Sequence, residues 1–392
     1  MSLAATNGFE FAHRTRVVLG AGVWSQACAE VQSLGSKVLL VTGATSLDRL
    51  GLSAALAEQT ARLGLVFSRF LVPREPDVEL ADRAAAQARA VGAQAVLAIG
   101  GGSALDVAKA AAVLATNPGS ARDYLEGLPS APLPVALAPL PIVCVPTTAG
   151  TGSEVTKNSV LQVADLQVKR SMRSELLFPR AAFVDPTLSG KAPQMVRAGS
   201  GFDALTHLVE AFCSKNASPI SDALARDGIP RAVRALRALA EGTAGETEAL
   251  DLAVASTLGG ICLANAGLGA AHGLIAPLGG LYPNIPHGAG LACLLPATLV
   301  VNHAAADTNA AASASARLLE LARLISGPYA TVTNTAANLT ELRIALGLPS
   351  LASYAHIDIA RVVASPSGSL KTNPVSLGPR ELSAILELAL SA

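Results

Sequence analysis

With 392 residues the chain is too long for one ordinary hydrophobic core, and two domains are expected. Apolar residues make up 51% of it, charged residues 15% and aromatic residues only 3%, so Ala, Leu and Val must build extensive buried surfaces. The formal net charge of zero gives no electrostatic footprint for nucleic acid or an anionic membrane.

Met1 to Arg16 lacks the basic start and apolar stretch of a signal peptide. No run of about eighteen apolar residues is free of charges and of Pro and Gly clusters, so no transmembrane helix is expected. Cys28, Cys144, Cys213, Cys262 and Cys293 are isolated, odd in number, and form no Cys-x-x-Cys pair. They read as buried, reduced thiols of a cytoplasmic protein.

Lys37 to Thr42 is a short apolar run ending at Gly43, the mark of a buried parallel strand. Leu52 to Leu63 suits a helix. Phe67 to Val72 suits a strand stopped by Pro73 and Pro76, and Val78 to Val91 a helix. Ala95 to Ile99 is a third strand, Ala104 to Ala115 the helix after it, and Pro141 to Val145 a fourth strand. This alternation predicts a parallel sheet with helices on both faces. The Pro- and Ala-rich stretch from Pro129 to Pro141 is short enough for a loop. After about Asp185-Pro186 the period changes. Met195 to Cys213, Pro219 to Leu239, Glu246 to Ala266, Gly288 to Ala305, Ala311 to Ile325, Tyr329 to Leu346 and Pro379 to Leu390 all suit helices. The expected organisation is an α/β domain over residues 1–190 and an all-helical domain over 191–392.

Two loops in the first half suit a ligand. Ile99-Gly100-Gly101-Gly102-Ser103 follows a strand and opens a helix, where glycines let the backbone approach an anion and helix N–H groups attract it. It is neither the Rossmann fingerprint, since Leu105 stands where the third glycine would be, nor a Walker A loop. On the helix that follows, Asp106 and Lys109 are one turn apart. They form either an exposed pair worth roughly a few tenths of a kcal/mol or a device in which Asp106 holds the loop or a ligand hydroxyl. Pro146 to Thr156 (Pro-Thr-Thr-Ala-Gly-Thr-Gly-Ser-Glu-Val-Thr) is the second loop, dense in hydroxyls and glycines after a strand. Ligands bind at that edge of open α/β sheets.

The second half concentrates its histidines. Of six in the chain, His207, His272 and His287 fall in two short segments with Asp203, and Asp203 and His207 share a helix face. One carboxylate and three imidazoles suit a mononuclear metal site, and a metal there polarises a carbonyl or stabilises negative charge on oxygen. His13, His303 and His356 fit no constellation. Glu154 and Asp185 read as loop-fixing residues, and Tyr282, between two candidate ligands, could line the pocket.

Taken together, Gly100 to Lys109, Pro146 to Thr156, Val184-Asp185-Pro186, Phe202 to His207, and His272-Gly273 through Pro286-His287-Gly288 resemble the iron-containing (group III) alcohol dehydrogenase family. They run in the family's order, and the likeness extends to Thr372-Asn373-Pro374. The resemblance implies a dehydroquinate synthase-like fold, with an N-terminal dinucleotide-binding α/β domain, an all-helical C-terminal domain and a cleft between them. It implies Fe(II), or alternatively Zn(II), on Asp203, His207, His272 and His287. It implies NAD or NADP against Gly101, Gly102, Ser103, Thr147, Thr148, Asn158 and Lys169, with Gly43 and Asp106 nearby. It also implies a homodimer or larger homo-oligomer that moves hydride between an alcohol and its aldehyde or ketone.

Two departures stand out. Many NAD-preferring members carry Asp where this chain has Gly43, and that acid would repel a 2′-phosphate. Many members carry a further His where this chain has Ala276, which leaves the proton relay unassigned and the pocket more apolar. The rivals are a metal-independent reductase resembling maleylacetate reductase, a cyclase or lyase resembling 3-dehydroquinate synthase, and a nucleotide-sensing module. In the first, the residue matching Asp203 is typically not a carboxylate.

Overall fold

The computed structural model describes residues 8–308, 311–365 and 367–391. Internal contacts divide the chain into two compact units. One comprises residues 13–148 and 152–192; the other comprises residues 149–151 and 193–392 with the N-terminal segment up to Ala12.

The first unit contains eight strands: β1 (Arg16–Leu19), β2 (Lys37–Gly43), β3 (Val66–Val72), β4 (Ala95–Gly100), β5 (Ile142–Pro146), β6 (Asn158–Val163), β7 (Val168–Arg173) and β8 (Ala181–Val184). Its helices are α1 (Ala27–Gln32), α2 (Ser46–Leu50), α3 (Ser53–Leu63), α4 (Val78–Ala90), α5 (Gly102–Thr116) and α6 (Pro186–Ser189). Six strands form a parallel sheet in the order β1-β8-β5-β4-β2-β3, and β6 and β7 form a separate antiparallel pair. Strands β2 and β4 are apolar at successive positions because both sheet faces are covered. Leu39, Val41, Val96 and Ala98 join one core with α4 and α5, while Val38, Leu40, Leu97 and Ile99 join another with α1, α2 and α3.

The sequence pattern does not announce β1, β8 or the β6–β7 pair. β1 and β8 are four residues each, and β7 carries Lys169, Arg170 and Arg173 on an otherwise short strand. The expectation of an exposed Asp106–Lys109 pair is corrected. Lys109 is fully buried, because α5 lies between α4, the sheet and β6.

The second unit is helical throughout its described residues: α7 (Gln194–Cys213), α8 (Pro219–Ala240), α9 (Glu246–Ala266), α10 (Ala270–Leu281), α11 (His287–Thr308), α12 (Ala312–Ser326), α13 (Val332–Ala345), α14 (Ile359–Val363) and α15 (Pro379–Ser391). Helix α7 packs against α8, α9, α11 and α12 and is buried along nearly all of its last four turns. Helices α9 and α11 are long and apolar enough to cross a bilayer by length and composition. Gly259 and Gly260 lie within α9 and Pro296 within α11, and both helices lie largely inside the unit, where a helix surrounded by others carries no wide polar face. Helix α10 is hidden from the pattern by Gly273, Pro277, Gly279 and Gly280, poor helix formers at roughly 1–3 kcal/mol each against alanine. Tertiary packing overrides that preference, since nearly every α10 residue is buried.

Candidate metal centre and dinucleotide cradle

Asp203 and His207 stand one turn apart on α7, both buried. His272 sits in the first turn of α10, and His287 opens α11. Asp203 Oδ1 lies 3.6 Å from His207 Nδ1, 3.4 Å from His272 Nε2 and 3.8 Å from His287 Nε2. The first three side chains offer donor atoms that all lie within 4.8 Å of one another. Donors bonded at about 2.1 Å to one tetrahedral ion stand about 3.4 Å apart, so the spacing fits a shared cation. Asp203 Oδ1, His207 Nδ1 and His272 Nε2 are also buried without a hydrogen-bond partner. Each such atom left unpaired costs roughly 1–3 kcal/mol, and one divalent ion satisfies all three. His287 has a side chain 38% exposed and forms the open side of the cluster.

Asp203 and His207 are held in ligating protonation states. Burial alone would raise the Asp203 carboxyl, but the surrounding imidazoles override it and hold it well below the usual carboxylate range. Burial pushes His207 down to about 4, which leaves it neutral and able to ligate at neutral pH. Burial opposes protonation of His272 too, yet Asp203 and Glu210 on either side raise it to about 9.

Small residues let the helices converge. A Cβ on Gly288 would fall 2.1 Å from the carbonyl oxygen of Gly199, so α11 crosses α7 with backbone against backbone, one turn before Asp203 and next to His287. A Cβ on Gly259 of α9 would lie 3.2 Å from His207 Cβ. Gly150 lies against Ser200, and its backbone hydrogen-bonds His207.

Sequence reasoning missed Glu210. It is three residues beyond His207 and seven beyond Asp203, hence on the same face of α7, and that spacing was the available signal. Its Oε2 lies 2.7 Å from His272 Nδ1, and its Oε1 accepts from Ala271 N at 2.7 Å. With Nδ1 held by Glu210, Nε2 of His272 faces the site, where a bound cation would take the place of the Nε2 proton that the flanking carboxylates otherwise retain. Asn373 supports the same turn. Its Oδ1 accepts from Ala270 N at 3.1 Å, and its Nδ2 donates to Asn302 Oδ1 at 2.8 Å. We expect Glu210→Ala to weaken metal affinity about 10- to 100-fold, measured by chelator competition on the folded variant. Unchanged affinity would show that His272 is oriented without it.

The other sequence candidates gather in the first unit. The chain runs from β2 to β3 on one side of β2 and then to β4 on the other, so the strand order reverses at the carboxyl ends of β2 and β4, where open α/β sheets hold ligands. Gly43 and Gly100 end those strands. A Cβ on Gly100 would meet Ala104 Cβ at 2.6 Å and Gly43 N at 3.2 Å, and one on Gly101 would meet Thr148 Oγ1 at 3.2 Å. Thr147 N donates to the Gly100 carbonyl at 2.9 Å. Gly43, Gly101, Gly102, Ser103, Thr147 and Thr148 thus share one strand-end edge. Gly101 caps the start of α5 without a side-chain hydrogen bond, which leaves room for a pyrophosphate on its first N–H groups.

Behind that edge lies a buried polar network. Ser153 Oγ donates to Asp106 Oδ1 at 2.6 Å, and Val160 N donates to Asp106 Oδ2 at 3.1 Å. Lys109 Nζ donates to the Ser153 carbonyl at 2.9 Å and to Thr156 Oγ1 at 3.0 Å. Asp106 therefore holds the second loop rather than facing solvent. Burial raises Asp106, lowers Lys109 and lifts Glu154 to about 7. Asn158 begins β6, buried, with Oδ1 unpaired. Lys169 on β7 pairs with Glu75 at 2.8 Å.

The remaining candidates make the following contacts. Asp185 caps α6 by accepting from Thr187 N at 3.0 Å. His13 meets Phe178 edge-on, and His303 stands 3.8 Å from Asp307. The Tyr282 hydroxyl accepts from Asp358 N at 2.9 Å, which ties α10 to the start of α14.

The model of the iron-containing alcohol dehydrogenases matches residues 14–186, and that of the family's C-terminal region matches residues 197–386. The chain belongs to this family. Long-chain-alcohol dehydrogenase 1 of Geobacillus thermodenitrificans is 40% identical over 280 residues, covering 71% of this chain and 69% of its own. The 4-hydroxybutyrate dehydrogenase of Cupriavidus necator is 33% identical over 346 residues, covering 86% of each chain. The structure of the iron-containing alcohol dehydrogenase of Thermococcus thioreducens superposes with a TM-score of 0.86 at 28% identity, covering 98% of this chain and 100% of that one.

The protein is accordingly an oxidoreductase that moves hydride between a CH–OH group and a nicotinamide dinucleotide, in a family that uses iron and NAD. The metal-independent alternative is set aside: Asp203 stands with His207 and His272 in one cluster that fits a metal ion.

Proposed function

We propose that Asp203, His207, His272 and His287 hold one catalytic divalent ion, Fe(II) or alternatively Zn(II). Gly101, Gly102, Ser103, Thr147 and Thr148 would hold the dinucleotide, with Gly43, Asn158 and Lys169 beside it. The observation that carries the reading is the set of three buried, unpartnered donor atoms on Asp203, His207 and His272. When bound, the ion supplies Lewis acidity towards the substrate oxygen and the nicotinamide exchanges hydride. The chain's own residues supply placement. Asp203 contributes a fixed negative charge, Glu210 keeps His272 in the ligating tautomer, and the Asp106–Lys109 network stiffens the loop that carries Thr147 and Thr148.

Ala276, one turn after His272 on α10, presents a methyl group. This supports an alcohol or aldehyde with an aliphatic chain as substrate, and no proton relay from that position. Gly43 supports acceptance of NADP(H) as well as NAD(H), because no carboxylate repels a 2′-phosphate there. The five cysteines are buried and unpaired, which supports a reducing, cytoplasmic setting. Family membership supports a homodimer or larger homo-oligomer.

Removal of metal tests the proposal. Chelator-treated enzyme is expected to lose alcohol oxidation with either cofactor while still quenching or enhancing NAD(P)H fluorescence, and Fe(II) or Zn(II) is expected to restore turnover. Full turnover after exhaustive chelation would overturn it.

A further inference from the structure

We propose that Arg69 is the residue that recognises the 2′-phosphate of NADP(H), which makes this dehydrogenase one that selects for the phosphorylated dinucleotide rather than merely tolerating it. The inference rests on the reading that the dinucleotide binds at the carboxyl ends of β2 and β4.

Strand β3 is the sheet edge beside β2, and the two run parallel with Leu40 opposite Arg69 and Gly43 opposite Val72. Side chains at paired positions of parallel strands project to the same face. Arg69 therefore shares a face with Leu40 and Thr42, and its long side chain reaches along β2 towards the strand's end. Its Nε donates to Thr42 Oγ1 at 3.0 Å. Thr42 is fully buried, so this bond anchors the guanidinium next to Gly43, the residue that ends β2.

Among the described residues no carboxylate meets the two terminal nitrogens of Arg69. Among the described residues its side chain makes no ion pair, whereas Arg74, five residues on, is engaged by Asp77 at 2.8 Å and Glu79 at 3.4 Å. An arginine fixed through Nε leaves both η nitrogens for one planar, two-point contact with an anion. At the end of the strand after which the dinucleotide's ribose is read, an acid accepts from the 2′-hydroxyl and an arginine accommodates a 2′-phosphate. Here the acid is missing, since Gly43 has no side chain, and a cation is held one residue away. A Cβ at Gly43 would meet Ser46 Oγ at 3.3 Å, so the position is also too tight to regain a side chain without moving Ser46.

The two features point in the same direction. Absence of a carboxylate removes a repulsion, and an anchored, unpaired guanidinium adds an attraction.

The test is direct binding of two fragments, 2′,5′-ADP and 5′-AMP, to the full-length protein by calorimetry, with no turnover required. Wild-type protein is expected to bind 2′,5′-ADP at least about tenfold more tightly than 5′-AMP. Arg69→Ala is expected to abolish that preference while changing 5′-AMP affinity less than about twofold, which also reports that the variant is folded. Arg69→Lys keeps the charge but loses the anchored fork, and is expected to retain only part of the preference. A preference that survives unchanged in both variants would overturn the role of Arg69 and leave NADP(H) acceptance standing. Equal binding of the two fragments by wild-type protein would overturn the inference together with the NADP(H) reading. Binding of neither fragment would overturn the dinucleotide site itself.

Discussion

Asp203→Ala is expected to abolish metal retention and lower kcat/KM by on the order of 10³-fold or more, because Lewis-acid stabilisation is worth several kcal/mol and each 1.4 kcal/mol is about tenfold. Asp203 Oδ1 is the atom from which the three histidine nitrogens stand 3.4 to 3.8 Å away. Among the described residues it is the carboxylate in the donor cluster, since Glu210 is spent on His272 and on the first turn of α10. Without it, three imidazoles would have to hold a dication with no compensating charge. The residues proposed to hold the dinucleotide lie in the other unit, so NAD(P)H affinity is expected to stay within about threefold of wild type. Metal content after desalting and nucleotide fluorescence titration check both halves. An alanine variant that keeps stoichiometric metal would sink the ligand assignment, whereas loss of nucleotide binding would point to unfolding and is separated from it by circular dichroism.

Gly288→Ala is expected to be nearly as damaging, although it adds one methyl group and touches no ligand. The new Cβ would fall 2.1 Å from Gly199 O and 2.4 Å from Gly199 C. Both are backbone atoms of a buried helix, so no side chain can swing aside. Helices α7 and α11 must separate, and His287, the residue before Gly288, moves with α11. Overpacking of this kind costs about 1–3 kcal/mol, occasionally more, and the displacement of His287 is expected to weaken metal affinity at least about tenfold. Gly368→Ala is the control, because a Cβ there meets nothing within 4 Å. Thermal unfolding and chelator competition on the two variants give the comparison. Equal behaviour of Gly288→Ala and Gly368→Ala would show that the crossing tolerates expansion.

Much of the first unit could be read from the chain because its strands are buried on both faces. Continuous apolar runs such as Lys37–Gly43 and Ala95–Gly100 have few other uses. The short strands β1 and β8 carry no such run, and their pairing joins segments far apart in sequence, β1 with β8 more than a hundred and sixty residues later, whereas the charged strand β7 is set by its hairpin partner β6. In the second unit the long helices were plain, but α10 was not. Its glycines and proline argue against a helix locally, and packing, with Gly273 close to Leu370, overrides them.

The candidate metal ligands were legible because the chain has only six histidines and Asp203 and His207 stand at a helical interval. Their convergence was not, since sixty-five residues separate His207 from His272. Glu210 went unnoticed because a glutamate on a helix is commonplace until its carboxylate is seen 2.7 Å from His272 Nδ1.

By itself the sequence determined which segments are strands and helices where burial is two-sided or strictly periodic, which side chains are candidates for metal and anion binding, and that Gly43 offers no acid. Only the tertiary structure decided that Lys109 is buried beneath the second loop and Glu154 within it, that Glu210 and Asn373 set the turn bearing His272, and that Arg69 reaches Thr42. The reason is physical. Local composition fixes the period of a chain and the chemistry of its side chains, whereas burial and contact depend on which distant segments pack together, and that is settled by the whole fold at once.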